Sequence, residues 1–323
     1  MCEDTPPPPI SRLLENIRTG AHTVLYGPPG TGKSHLITNI GEVIDTSENG
    51  YRTIEVNLDG ETETWISSTI QFSPNTEESD LLMGIGLNSS NDLVVRPGWL
   101  FEFSQYLDDS DFERGIFIID EMSRADLTLA FGQLFYALEH GGIRLKHVDQ
   151  AFTLSPKLVI IGTMNTADKN VKKLDIAFRR RFSWVPVMPD YDLIEEWASM
   201  FNDDLNILEE EYDFPNRYRR FAEELNMMIS NDSIAGPQLQ IGQALFFPTK
   251  ILFDETKENT FSALFEHLRS VLLPQLSHYT NNNSQKLQTW TTQIVSAKLV
   301  QYQHITGREI FGLIDVVSNP VND

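Results

Sequence analysis

The fold of this chain is decided by Gly27-Pro28-Pro29-Gly30-Thr31-Gly32-Lys33-Ser34, which satisfies the pattern G-x-x-x-x-G-K-[ST]. In this pattern, backbone N–H groups surround a β-phosphate, the lysine reaches the β- and γ-phosphates, and the serine hydroxyl binds Mg²⁺. The flanking residues agree with it, since 22–26 predict a short buried strand and 34–40 predict the start of a helix. A strand, a glycine loop and a helix N-terminus together form an anion site, which argues against a chance match in a glycine-rich loop.

Composition and charge limit what the chain can be. It has 323 residues, of which 41% are hydrophobic and 22% charged, as in ordinary globular proteins. No apolar run is long enough to span a membrane, and the N-terminus lacks the features of a signal peptide, so we expect a cytoplasmic protein. The single cysteine, Cys2, cannot form an internal disulfide. The net charge of −21 repels nucleic-acid phosphates and disfavours broad DNA or RNA binding by this chain alone.

The pattern of predicted elements divides the chain. Residues 1–10, rich in proline, are expected to form a disordered lead. Residues 11–188 alternate predicted strands and helices, which indicates an α/β domain with a parallel sheet. Residues 189–323 show helical periodicity and predict a smaller helical lid domain. Within the α/β part, the helix after the glycine loop is predicted to run to about residue 44, and the irregular stretch 59–98 is predicted to hold loops, or an inserted hairpin and a short helix, outside the core.

Two acidic residues follow one of the most apolar runs. Residues 115–119 predict a strand buried on both faces, and Asp120 and Glu121 come directly after it. Doubly wound folds bind ligands at the carboxyl ends of their strands. We therefore predict that Asp120 lies on the Mg²⁺ side of a nucleotide and that Glu121 orients and polarises water. The alternative is a pair of surface acids that end a strand, which the burial of the strand argues against.

Asn165 ends the next apolar strand, which begins at Leu158. A sheet of this kind places it near the acidic pair, where its amide would hold the attacking water or a γ-phosphate oxygen. An asparagine at a strand end is also a common turn former, and that alternative stays open.

Three consecutive arginines, Arg179, Arg180 and Arg181, follow a short predicted helix. On an acidic protein they indicate either a solvated basic patch with salt bridges or an arginine supplied in trans to the γ-phosphate of a neighbouring subunit. The second interpretation requires an oligomer.

Four motifs resemble those of AAA+ ATPases and, more narrowly, of McrB-type GTPases from modification-dependent restriction systems. They are the glycine loop; Ile119-Asp120-Glu121-Met122-Ser123-Arg124-Ala125-Asp126; Gly162-Thr163-Met164-Asn165-Thr166-Ala167-Asp168; and Ala177-Phe178-Arg179-Arg180-Arg181-Phe182-Ser183. The resemblance covers nearly the whole chain. It implies an AAA+ module followed by a helical lid, a homo-oligomeric ring that we expect to be a hexamer, Mg²⁺, and GTP as substrate with ATP as the alternative. It also implies an McrC-like nuclease or activator as partner, in defence against foreign DNA.

The resemblance assigns a role to each motif residue. Those implied to bind the nucleotide are Gly27, Pro28, Pro29, Gly30, Thr31, Gly32, Lys33, Ser34 and Asp168. Those implied to act in catalysis are Glu121, Asn165, Arg180 and Arg181, and those implied to bind Mg²⁺ are Ser34 and Asp120. The motif does not say which arginine reaches the neighbouring subunit. It also suggests that Arg124 lies at a subunit face.

The chain departs from the McrB pattern in three places. Lys169 stands where the signature has arginine, and Gln240 stands where an arginine precedes Ile-Gly. About 20 residues precede the first predicted strand, so we expect the N-terminal DNA-reading domain to be absent and DNA to be contacted only through the assembly or a partner.

Two other functions compete with the McrB-type motor. The first is an ATP-dependent, MoxR-like remodelling chaperone, whose signature at Asn165 differs. The second is a nucleotide-dependent scaffold without hydrolysis, and the presence of Glu121 argues against it.

Overall fold

The computed structural model describes residues 8–58, 60–87, 89–144, 151–168, 176–205, 214–233, 235–247, 267–281, 283, 285–287 and 290. The chain divides into two compact units: Met1–Gly27 with Lys33–Val187, and Pro28–Gly32 with Met188–Asp323. Among the described helices, none is both long and apolar enough to cross a membrane.

The strands of the first unit are β1 Thr23–Gly27, β2 Glu42–Thr46, β3 Arg52–Leu58, β4 Glu61–Gln71, β5 Met83–Leu87, β6 Leu93–Pro97, β7 Gly115–Asp120, β8 Gly142–Arg144, β9 Ala151–Thr153, β10 Leu158–Asn165 and β11 Ser183–Pro186. Its helices are α1 Pro9–Arg18, α2 Lys33–Thr38, α3 Glu78–Leu81, α4 Trp99–Asp108, α5 Leu127–Phe131, α6 Leu134–His140 and α7 Ile176–Arg181. Two hairpins, β5–β6 and β8–β9, stand apart from the main sheet.

The main sheet has seven strands in the order β11-β1-β10-β7-β4-β3-β2. Neighbours from β11 to β4 are parallel, whereas β4, β3 and β2 pair antiparallel at one edge. Central strands β7 and β10 are buried along nearly their whole length, because continuous apolar runs let both faces pack against other residues. The fold is thus mixed α/β with a mostly parallel central sheet.

The sheet aligns the carboxyl ends of its central strands. Gly27 at the end of β1 pairs with Asn165 at the end of β10. Gln71 at the end of β4 pairs with Asp120 at the end of β7. Residues far apart in the sequence therefore meet along one edge, the place where open α/β sheets bind ligands.

Two expectations about the first unit are wrong. The helix after the glycine loop ends at Thr38, and β2 follows; a Cβ on Gly41 would lie 2.4 Å from the carbonyl oxygen of Glu55, so only glycine permits this approach to β3. The stretch 59–98 does hold a hairpin, β5–β6, and a short helix, α3, as expected, but it also contributes core, because β4 lies within the main sheet and Trp65 is fully buried. The many Glu, Thr and Ser residues of β4 make it resemble a loop, because only the middle of the strand is buried.

The second unit is helical in its described part. It contains α8 Tyr191–Leu205, α9 Phe214–Asn231, a π-helical turn at Leu268–Leu272 and α10 Leu273–Tyr279. A separate core packs there, including Ile194, Leu225 and Phe246. Residues 1–7 of the expected lead, and residues 206–213, 248–266 and 291–323 of the expected lid, lie outside the described residues.

Candidate nucleotide site

The glycine loop leaves β1 and enters α2 in a conformation that depends on its glycines. Gly30 and Gly32 have φ angles of 78° and 82°, in the left-handed region that other residues avoid. The Lys33 side chain is buried, and its Nζ donates to the Gly27 carbonyl oxygen at 3.0 Å. The side chain of Lys33 thus turns back to the first residue of the glycine loop, and loops of this kind present successive backbone N–H groups to an anion.

The Lys33 ammonium lies near two carboxylates. Burial lowers the pKa of Lys33 to about 8, and the nearby charges of Asp168 and Asp120 oppose this change. A buried cation is costly without counter-charge, so the negative oxygens of a phosphate would stabilise the charged lysine.

The middle of the glycine loop is bonded within the second unit. The N–H groups of Gly242 and Ala244 donate to the carbonyl oxygens of Pro29 and Gly30, each at 3.0 Å. Gln243 Nε2 donates to the Thr31 carbonyl oxygen at 2.9 Å. A Cβ on Gly242 would lie 2.1 Å from the carbonyl carbon of Gly30, so this approach requires glycine.

One carboxylate oxygen of Asp120 accepts hydrogen bonds from two hydroxyl groups. Ser34 Oγ donates to Asp120 Oδ1 at 3.1 Å, and Thr163 Oγ1 donates to the same atom at 2.6 Å. The Thr163 oxygen also accepts the Glu121 N–H at 2.9 Å. Thr163 therefore links both acidic residues to β10. Sequence reasoning missed this role, although a threonine inside an apolar strand is a signal that could have found it.

Ser34 and Asp120 fit a magnesium site. Mg²⁺ prefers hard oxygen ligands and is usually held by one or two protein oxygens, with water and substrate phosphates completing its shell. A serine hydroxyl and a carboxylate within hydrogen-bond distance at the end of a glycine loop supply such a set.

Glu121 adopts a strained backbone conformation and its carboxylate is held on both sides. Its φ of 54° lies in the left-handed region, which is uncommon outside glycine and is often found at functional sites. Arg124 pairs with the carboxylate through Nε and Nη2, and Gln71 Nε2 donates to Oε2 at 2.8 Å. Sequence reasoning missed Gln71 because it assigned that stretch to a region outside the sheet.

Asn165 is the last residue of β10, and Asp168 lies on the turn that follows it. Thr166 N–H donates to the Gly27 carbonyl oxygen at 3.0 Å, which joins this turn to the start of the glycine loop. Asp168 N–H donates to the Asn165 carbonyl oxygen at 3.1 Å, and the Asp168 carboxylate accepts a short hydrogen bond from the Ser123 hydroxyl. Lys169 lies outside the described residues.

The structure distinguishes the three arginines of α7. The Arg179 guanidinium lies over the Trp184 ring at 5.7 Å. Arg181 forms an ion pair with Glu139 of α6 and lies over the Phe135 ring at 5.6 Å. Arg180 is exposed, and its side chain makes no hydrogen bond or ion pair within the described ranges.

Part of the chain matches a known protein family. Residues 22–182 match the family model described as AAA domain (dynein-related subfamily). The mixed α/β fold of these residues is that of a P-loop NTPase. The chain is 27% identical over 296 residues to the Type IV methyl-directed restriction enzyme EcoKMcrB subunit of Escherichia coli K12, an alignment that covers 88% of this chain and 60% of that protein. A crystal structure from Cytophaga hutchinsonii shares 17% identity and a TM-score of 0.38, covering 84% of this chain and 74% of that one.

The AAA-type structure brings most of the predicted residues together. Contacts described above join the glycine loop, the acidic pair at the end of β7 and the turn after β10. The arginines lie on α7, where Arg179 and Arg181 contact β11 and α6. A site of this composition can bind a nucleoside triphosphate.

Proposed function

We propose that this chain hydrolyses a nucleoside triphosphate, preferably GTP, within a ring oligomer and thereby drives an McrC-like nuclease in defence against foreign DNA. The observation that carries the proposal is the hydrogen-bonded set of Ser34, Asp120 and Thr163, with Lys33 beside Asp120, at the carboxyl edge of the sheet. Hydroxyl, carboxylate and ammonium groups in this arrangement match what phosphoryl transfer needs from a protein.

Each group has a physical task in this mechanism. Lys33 and the loop N–H groups bind the β- and γ-phosphates, and Ser34 and Asp120 hold Mg²⁺. When bound, the ion neutralises charge that develops between the two phosphates. Glu121 orients a water molecule and accepts its proton, while Asn165 positions that water or a γ-phosphate oxygen. Asp168 and the loop residues keep the lysine in place.

The remaining positive charge comes from another subunit. Arg180 is the stronger candidate because its side chain is exposed, whereas Arg181 is already engaged by Glu139. An arginine supplied in trans accelerates hydrolysis by about 10³ to 10⁵ where it operates. This requirement supports a ring oligomer, for which a hexamer is the expected form.

The choice of GTP and of a nuclease partner rests on the McrB-like motifs, and similarity to the E. coli restriction subunit supports the link to restriction. The chain spans about 60% of the length of that relative. Its net charge of −21 favours DNA contact through a partner, because an acidic surface repels the phosphate backbone.

The test measures phosphate release from GTP and ATP side by side in the presence of Mg²⁺. Lys33→Ala should abolish nucleotide binding, and Glu121→Gln should retain binding but lose turnover. Lys157→Ala is the matched control, since its Nζ donates to the Ser110 carbonyl oxygen near the opposite end of β10. Hydrolysis of ATP but not GTP would exclude GTP as the preferred substrate. Unchanged turnover in Glu121→Gln would contradict the role of that carboxylate.

The second candidate is an ATP-dependent, MoxR-like remodelling chaperone. The match to an AAA domain is compatible with it, because both functions use such a domain. The two candidates differ in their partner, so a neighbouring gene for a nuclease supports the first, and one for a protein with a metal-dependent adhesion domain supports the second. The mass of the complex with and without non-hydrolysable GTP tests the ring in either case.

A further inference from the structure

A carboxylate outside the nucleotide site holds the junction between α5 and α6. Glu78 is the first residue of α3, and both of its carboxylate oxygens accept hydrogen bonds from Gln133, the residue that precedes α6. The Gln133 N–H donates to Oε2 and the Gln133 Nε2 donates to Oε1, each at 2.9 Å. Within the described residues this carboxylate has no bond to any residue of the nucleotide site.

The chain between α5 and α6 has a conformation that depends on this contact. Gly132 separates the two helices with a φ of 28°, and a Cβ at that position would collide with Glu78 Oε2. The N–H groups at the start of a helix have no acceptor within the helix, so the N–H of Gln133 needs one from elsewhere. Glu78 supplies that acceptor and thereby fixes where α6 begins and the direction in which it leaves α5.

Two phenylalanine rings on either side of this junction pack against α7. Phe131 ends α5 and Phe135 lies in α6, and their rings stack with centroids 5.3 Å apart. Phe178 of α7 is buried and contacts both rings edge-on, at 5.5 and 5.7 Å. Protein interiors are close-packed and deform little. A change in the angle between α5 and α6 would therefore displace Phe178.

Phe178 directly precedes the three arginines of α7. A second set of contacts joins α6 to the same helix, because Arg181 pairs with Glu139 and lies over the Phe135 ring at 5.6 Å. Arg180 is exposed on this helix. The position of α6 thus sets the position of the helix that carries the candidate trans arginine.

We propose that Glu78 is a positioning residue for Arg180: by holding the α5–α6 junction it sets α7, and through α7 it acts on the nucleotide of the neighbouring subunit. This inference rests on the proposed function. It places the effect of Glu78 in another subunit's site, since its carboxylate bonds to Gln133 and not to the glycine loop or the acidic pair of its own chain.

The first experiment measures kcat and KM for GTP and ATP in full-chain variants, with the molecular mass and the thermal midpoint recorded for each. Glu78→Ala should lower kcat by about 10- to 100-fold with little change in KM, because a misplacement of about 1 Å costs roughly 100-fold in rate. Ser79→Ala is the control on the same helix. The Ser79 side chain makes no hydrogen bond among the described residues, so this variant should match wild type.

The second experiment mixes subunits, because a merely structural defect in Glu78→Ala would stay in its own site. Glu121→Gln removes the water-activating carboxylate of a site but leaves α7 intact. In a mixed ring, Glu121→Gln subunits should supply Arg180 to Glu78→Ala neighbours, whose own sites are complete. Turnover of the mixture should then exceed the sum of the two separate activities. Arg180→Ala mixed with Glu121→Gln is the reference and should be rescued in the same way.

If Glu78→Ala fails to fold, an exchange of the two interacting groups decides. Gln133→Glu places two carboxylates together and should lower kcat. Adding Glu78→Gln to it restores a donor opposite an acceptor, and the new amide oxygen still accepts the N–H of residue 133. The double variant should therefore recover kcat, and a double variant as slow as Gln133→Glu alone overturns the inference.

A wild-type kcat in folded Glu78→Ala also overturns the inference. So does a lower kcat that mixing fails to rescue while Arg180→Ala is rescued, since Glu78 would then act within its own subunit. Absence of rescue for both variants refutes the trans arginine of the proposed function, and absence of turnover in wild type refutes the proposed hydrolysis. In these last two cases the inference falls together with the proposed function.

Discussion

Replacing Thr163 by valine should damage hydrolysis more than nucleotide binding. The Thr163 side chain is buried, with 3% of its surface exposed, and valine has nearly the same shape, so the change removes a hydroxyl without opening a cavity. Two hydrogen bonds disappear: the one donated to Asp120 Oδ1 at 2.6 Å and the one accepted from Glu121 N–H at 2.9 Å. The substitution thus removes a hydrogen bond from each acidic residue without replacing either of them.

The expected magnitude follows from those two bonds. A hydrogen bond to a charged group contributes about 1.5 to 3 kcal/mol, and leaving a buried donor unsatisfied costs about 1 to 3 kcal/mol. Because the two effects share one side chain they are not additive, and we expect a loss of about 2 to 4 kcal/mol in the free energy of unfolding. If loss of the bond to Thr163 displaces Glu121 by about 1 Å, turnover should fall roughly 100-fold.

Thr163→Ser is the matched control because it keeps the hydroxyl and loses only a methyl group. Phosphate release gives kcat, urea unfolding gives the free energy of unfolding, and titration with a fluorescent nucleotide gives affinity. We expect Thr163→Ser to remain close to wild type in kcat, and Thr163→Val to bind nucleotide while losing turnover. Wild-type turnover in Thr163→Val would show that the hydroxyl does not organise the acidic pair and would refute the reasoning.

Three more predictions concern groups outside the acidic pair. Burial lowers the pKa of His22 from 6.5 to about 4, so the stability that the neutral ring contributes is present above pH 6.5 and is lost as the pH falls toward 4, by up to about 3 kcal/mol. His22→Asn keeps an acceptor for the β10 backbone, and in urea unfolding at a series of pH values it should remove this dependence of the free energy of unfolding on pH between 6.5 and 4. Arg180→Ala should suppress hydrolysis at unchanged stability, whereas Arg181→Ala should also lower the thermal midpoint; equal turnover in Arg180→Ala and wild type would exclude Arg180 as the trans arginine. Gly242→Ala should weaken nucleotide binding by pushing on the glycine loop, while Gly84→Ala, whose Cβ would meet its nearest atom at 3.4 Å, should not; equal affinities would show that this contact does not shape the loop.

The parts of the site that the sequence predicted are those encoded in short continuous stretches. A phosphate-binding loop needs a strand, glycines and a helix start in direct succession, so Lys33 and Ser34 could be identified from neighbouring residues alone. Asp120 and Glu121 could be identified in the same way, because an apolar run long enough to be a buried strand ends immediately before them. Local order along the chain carries this information.

The β4 strand shows where such reasoning fails. Its polar residues hide its place in the sheet, since only Trp65, Ile66 and Ser67 are buried and the pattern is too short to distinguish from a loop. Its place in the sheet is set by pairing with β7 and β3, and this pairing cannot be predicted from the pattern of its own residues. Gln71 therefore reaches Glu121 through a contact that only the folded sheet creates.

From the sequence alone came the α/β class, the glycine loop and the acidic pair, because each depends on residues that are adjacent in the chain. Only the tertiary structure showed that Thr163 joins Asp120 to Glu121, that Arg124 and Gln71 occupy the Glu121 carboxylate, and that residues 242–244 bond the glycine loop. It also separated three arginines that are equivalent as a motif, since Glu139 and Trp184 engage two of them from other elements. Each of these contacts joins residues that are far apart in the sequence, so it exists only once the sheet and the helices have brought the side chains within bonding distance.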